Sequence, residues 1–214
     1  MNLNKINDLR EAARLAINNT QNNSDVRQQM EAYGMSPAEL QAGKNRLRIF
    51  EQKHERQAQL QDERWALARQ IDASLQAVTS AFKTHARLAQ AAFRHDPELI
   101  RRLRAERLDT RRWECVQQAE HFYKTFQAHK LSLEGIGVAP KEIQQMQRAV
   151  SDLQHLKEAR ADKKGLAEQS TAERQQAQNE LRRWVVNFRA IARIAFRQQP
   201  QMLERFGMKV LTTA

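Results

Sequence analysis

Apolar residues recur three and four positions apart along most of this chain, the mark of amphipathic helices. Leu9, Ala12, Ala13, Ala16 and Ile17 share one face and predict a first helix over about 4–18. Thr20-Gln21-Asn22-Asn23-Ser24 breaks the pattern, and a shorter helix from Asp25 is expected to turn Val26, Met30 and Tyr33 inward until Gly34 ends it as a left-handed cap. Ser36 then stands as N-cap, Pro37 as the first helical residue and Glu39 where a capping box needs its acid, with Met35 and Leu40 placed as a hydrophobic staple.

Between Gly43 and Pro97 there is neither glycine nor proline. That stretch exceeds an ordinary globular helix, so it reads as an antiparallel hairpin. Leu40, Leu47 and Phe50 mark the outgoing arm. Ile71, Leu75, Val78, Phe82, His85, Ala89 and Ala92 mark the return, alternating four and three apart as in a coiled-coil seam. The polar run from Lys53 to Arg64 is the expected tip, and Trp65 beside it is a candidate partner-docking residue.

The same layout recurs with numbers raised by 103. Met35, Pro37, Glu39 and Leu40 fall on Val138, Pro140, Glu142 and Ile143, and Ala89, Ala92, Phe93, Arg94 and Pro97 fall on Ala192, Ala195, Phe196, Arg197 and Pro200. The second copy carries Ile143, Met146, Val150 and Leu153 outward, a tip at Lys157–Gly165, and Leu181, Val185, Phe188, Ala192 and Ala195 returning. Ala139 replaces the capping serine, a loss of roughly 1 kcal/mol at that helix end. These observations imply an all-α protein of two tandem helical-hairpin repeats. Residues 1–103 form the first repeat and 104–214 the second, expected to make one compact structural unit, packed by a pseudo-twofold into a four-helix-bundle core with additional helices. The small residues Ala89, Ala92, Ala192 and Ala195 would let helices approach closely there.

Composition narrows this picture. Leu, Ile, Val and Phe make 45 of 214 residues and the mean hydropathy is -0.79, a supply suited to a narrow seam rather than a broad core. Cys115 is the single cysteine, so no intrachain disulfide can form, and it reads as a small buried apolar residue. The polar start and the absence of a long apolar run lead to an expected cytoplasmic location, away from membranes.

Candidate chemistry is sparse. A carboxylate-bridged metal site in a bundle needs Glu-x-x-His twice. Glu51–His54 has that spacing, but the matching run Gln154–Lys157 ends in lysine, so no metal ligands are assigned. His85, on the seam opposite Phe188 in the repeat register, is either a titrating switch or a hydrogen-bonded core residue. No nucleophile elbow or phosphate-binding glycine loop is present. The expectation is therefore a non-enzyme without cofactor, acting as a scaffold or protein-interaction protein.

Charge supplies the alternative. The formal net charge is +11. Arg101, Arg102, Arg104, Arg107, Arg111 and Arg112 crowd the joint between repeats, and Arg182 and Arg183 lie on the last long helix. Guanidinium forks suit phosphate, so these eight residues are the candidate polyanion-binding set, with nucleic acid as the partner. The 13 aromatics fall mostly on faces expected to be buried, so such binding would be driven by the backbone phosphates and would weaken with salt.

The segment Arg189–Gly207, which contains Ala192-Arg193-Ile194-Ala195-Phe196, Pro200-Gln201, Leu203-Glu204 and Phe206-Gly207, resembles the C-terminal segment of bacterial helical proteins to which no activity is attached. The resemblance covers about twenty residues, is a packing pattern, and implies no functional residues.

Overall fold

The computed structural model describes residues 2, 3 and 5–210. Those residues form α1 (Ile6–Gln21), α2 (Ser24–Ala32), α3 (Pro37–Ala92), α4 (Pro97–Arg102), α5 (Arg112–Ala128) and α6 (Pro140–Ala195), with 3-10 turns at Glu134–Ile136 and Pro200–Phe206. The described residues contain no strand; one isolated bridge joins Leu133 and Val138. All four prolines open a helical element at its first position, where the missing N–H costs nothing.

The hairpins expected from the sequence do not form. Each is one uninterrupted helix of 56 residues, α3 and α6. The reason is local. Lys53 to Trp65 holds only helix-compatible residues, and breaking a helix there would strand up to four N–H and four C=O groups. Gly165, expected at a turn, lies within α6. The polar runs are mid-helix segments, so there are no hairpin tips.

The chain divides into two compact units, Met1–Leu60 with Leu166–Ala214, and Gln61–Gly165. These units cut across the 103/104 division of the sequence register. In the first unit, α1 buries Leu9, Ala12, Ala13, Ala16 and Ile17, and α2 buries Val26 and Met30. They share a core with Leu40, Leu47 and Phe50 of α3 and with Leu181, Val185, Phe188 and Ala192 of α6. Trp184 is buried here, its indole N–H donating to the Glu39 carbonyl at 3.1 Å. Asn23 caps α2 by accepting from the Asp25 and Val26 amides, and the Ser36 hydroxyl accepts from the Glu39 amide at 3.2 Å to cap α3.

In the second unit, Ile71, Leu75, Val78, Phe82, Ala86 and Ala89 of α3 pack with Cys115, Val116, Ala119, Phe122, Tyr123 and Phe126 of α5 and with Ile143, Val150 and Leu153 of α6. The apolar stripes are thus the ones expected, with exchanged partners. The Leu40–Phe50 stripe shares a core with Leu181–Ala192, and the Ile71–Ala89 stripe with Ile143–Leu153.

Two expected core residues lie outside it. Tyr33 is 44% exposed, because α2 ends at Ala32 and the helical period no longer applies. Ala92, the last residue of α3, is also exposed. The bounds Pro37–Ala92 and Pro140–Ala195 lie 103 residues apart at both ends. Among the described residues, four of the five with positive φ show the same spacing, Gly34 and Gly137 at 96° and 88° and Arg104 and Gly207 at 53° and 65°, while the fifth, Lys130 at 49°, falls on helical Arg27. An arginine therefore occupies a left-handed position that its counterpart fills with glycine, at roughly 1–2 kcal/mol of strain.

Candidate functional site

The most open aromatic side chain lies where two polar helix segments meet in the second unit. On α3, Gln61, Arg64, Trp65 and Ala68 recur three and four apart and so share a face. On α6, Lys157, Arg160, Ala161 and Lys164 do the same. With Leu67 they line a cleft of about 550 Å³. Trp65 is 59% exposed, whereas Leu67 packs against the core of the unit. The small Ala68 and Ala161 leave the space beside the indole.

Every charged residue lining the cleft is basic: Arg64, Lys157, Arg160 and Lys164. Lys157 sets its ammonium 4.7 Å from the centre of the Trp113 ring, a cation–π contact that fixes it on the wall. Carboxylates stand beside the cleft instead: Glu63 pairs with Lys163, and Glu158 lies 3.6 Å from His155. The sequence pattern points to Trp65 but not to its basic neighbours. Their identical spacing along two helices is visible there, yet taking both segments as tips hides the fact that they face one cleft.

The arginine joint is differently built. Gln118 organises the loop after α4: its amide N–H group donates to the Arg104 and Arg107 carbonyls, and its carbonyl accepts from the Asp109 amide at 2.9 Å. Most of the arginines are matched by acids. Arg101 and Arg102 pair with Glu98, Arg111 with Asp109 and Glu114, and Arg112 with Asp72 at 3.3 Å. The Arg111 backbone N–H and guanidinium hold the Asp109 carboxyl below its ordinary range. Arg104 and Arg107 have no ion pair among the described residues and line a cavity of about 660 Å³ that also contains Asp109 and Glu114. Arg182 and Arg183 belong to the first unit. Arg182 donates to the Leu3 carbonyl at 3.2 Å, and Arg183 lies in a cleft with Glu39 and Glu180. The eight candidate residues are thus divided between units, and four of the six in the joint already hold ion pairs, Arg101 and Arg102 sharing Glu98.

His85 is buried and bonded through both ring nitrogens, Nδ1 to the Tyr123 hydroxyl at 2.9 Å and Nε2 to Glu142 Oε1 at 3.0 Å. In the neutral tautomer that fits, Nε2–H donates to the carboxylate and Nδ1 accepts from the phenol. Burial, and then the Glu142 charge, push the Tyr123 hydroxyl well above its ordinary range, so it stays protonated. Cys115 is buried, and burial raises its thiol too. Glu51 accepts from Arg14 at 2.6 Å and from Arg10 at 3.4 Å, while His54 stacks on Phe50. Among the described residues no three His, Cys, Asp or Glu side chains gather as a metal site, and no helix is long and apolar enough to cross a membrane.

No protein-family model matches the chain, and neither a curated protein nor a solved structure matches it.

Proposed function

We propose that this chain is a non-enzymatic helical scaffold that docks a protein partner in the Trp65 cleft. The observation carrying this reading is the 59% exposure of Trp65 in a formed cleft. An indole left in water is a poor use of apolar area. Burial of apolar surface is worth about 25 cal/mol per Å², and tryptophan is among the commonest anchors of protein interfaces. The nucleic-acid reading is weaker, because carboxylates already occupy four of the six joint arginines.

We also propose that the chain arose by tandem duplication. Buried positions recur at the 103 spacing in both units, as in Ala12 and Cys115, Ala16 and Ala119, Phe50 and Leu153, Val78 and Leu181, and Leu103 and Phe206. Trp65 has no such counterpart: Glu168 stands there. Docking would then be a property one copy acquired.

The test is a photoreactive side chain placed at position 65 and, as control, at the exposed Val186. The expected result is a discrete set of protein adducts formed from 65 and absent from 186. The same adduct pattern from both positions would reject the reading.

A further inference from the structure

We infer that the occupant of the Trp65 cleft is a short acidic polypeptide segment carrying an apolar residue, an inference that rests on the docking reading above. Charge complementarity selects the class. Four cations line the cleft with no carboxylate among them. Neither Arg64 nor Arg160 has an ion-pair partner among the described residues. Two guanidiniums without a counter-charge around one cavity are unfavourable until an opposite charge arrives.

The geometry sets the length. Lys157, Arg160 and Lys164 form a row along one face of α6, spanning roughly 10 Å at about 1.5 Å rise per residue. An extended peptide advances about 3.3 Å per residue, so acidic side chains on alternate residues would meet this row over three or four residues. Trp65, Leu67 and Ala68 offer the apolar contact between them.

Two features favour a peptide over a nucleic-acid strand. Single strands are held by successive stacking rings on a continuous basic track. Here one ring is open, since Trp113 is half-buried beneath the Lys157 ammonium. The track is also short, since the row Lys157, Arg160 and Lys164 spans only roughly 10 Å. A long polyanion would extend well past this row, whereas a short acidic segment matches its length.

The experiment titrates the full chain into a labelled peptide of repeating Glu-Glu-Leu, its Gln-Gln-Leu counterpart and oligothymidylate, by fluorescence anisotropy. The expected result is binding of the acidic peptide alone, lost at about 1 M salt, where the screening length is roughly 3 Å. Trp65→Ala and Arg160→Glu should each weaken it by about tenfold or more, since charge reversal turns an attraction into a repulsion. Both residues are exposed, and unchanged circular dichroism would verify folding. Equal binding of the glutamine peptide, still lost in Trp65→Ala, would overturn the acidic class while leaving docking intact. Tighter binding of oligothymidylate with the same sensitivity would make nucleic acid the occupant and overturn the proposal. Peptide binding indifferent to Trp65→Ala and Arg160→Glu, or no binding by any probe, would overturn it as well. Only the indifferent outcome would also remove the cleft as a docking site.

Discussion

Gly43 lies inside α3, where alanine would ordinarily stabilise the helix by about 1 kcal/mol. Here the sign should reverse. A Cβ built on Gly43 would lie 2.1 Å from Cζ2 and 2.2 Å from Cε2 of Trp184. Comfortable carbon contacts are about 3.5–4.0 Å, so the indole must move. It has little room, being only 4% exposed, with its ring centre 5.5 Å from that of Phe188 and its N–H on the Glu39 carbonyl. Overpacking of this kind costs about 1–3 kcal/mol, and disturbing the indole hydrogen bond about 1 more. Set against the helix gain, Gly43→Ala should destabilise the first unit by about 2 kcal/mol. In a Trp184→Ala background the obstruction is gone, and the same change should stabilise by about 1 kcal/mol. Urea unfolding followed by helical circular dichroism, run as a double-mutant cycle, measures both. A neutral or stabilising Gly43→Ala in the native background, or the same sign in both, would refute the packing argument.

Three further outcomes follow from other residues. Gly165 sits within α6, with no positive φ and nothing beyond the backbone of its own helix within 4 Å of the place a Cβ would take, so Gly165→Ala should raise stability by about 1 kcal/mol in the same urea assay; a loss would indicate the turn that a hairpin requires. Arg104→Gly should stabilise the second unit by about 1 kcal/mol by relieving the 53° φ, and an unchanged midpoint would show that the loop relaxes in solution. His85→Phe should cost about 1–3 kcal/mol by leaving the buried Tyr123 hydroxyl unpaired, and adding Tyr123→Phe should recover part of it. Because the folded state holds the Tyr123 proton more tightly than the unfolded chain, which titrates near 10.0, the second unit should lose stability as pH rises beyond 10.0, and Tyr123→Phe should remove that part of the slope.

The helical class and most helix starts are legible in the sequence because their causes are local. Proline at Pro37, Pro97, Pro140 and Pro200 marks a first turn wherever the chain goes afterwards. The buried stripes are legible too, since a period near 3.5 fixes which face is apolar. Their partners are not. The Leu40–Phe50 stripe can pack against Ile71–Ala89 after a sharp turn, or against Leu181–Ala192 if the helix runs on, and the spacing suits both. What decides between them is the absence of a breaker from Lys53 to Trp65, a signal that the unusual length of the resulting helix outweighs when the sequence is read alone. The arginine joint shows the opposite limit. Its charge is plain in the sequence, but the acids that pair with it include Asp72, 40 residues from Arg112, which only the folded chain brings within 3.3 Å. His85 lies on the seam as its spacing predicts, while its partners Tyr123 and Glu142 come from two other helices.

Docking depends most on Trp65 standing open among cations. Quenching of tryptophan emission by iodide and by caesium tests this directly, with Trp65→Phe isolating the Trp65 signal from the half-buried Trp113 and the buried Trp184. Efficient quenching by iodide and weak quenching by caesium, with the contrast collapsing in Arg160→Glu, is the result expected from the cleft. Equal quenching by the two ions, or no quenching by either, would contradict it and leave the chain without a formed docking site at this position.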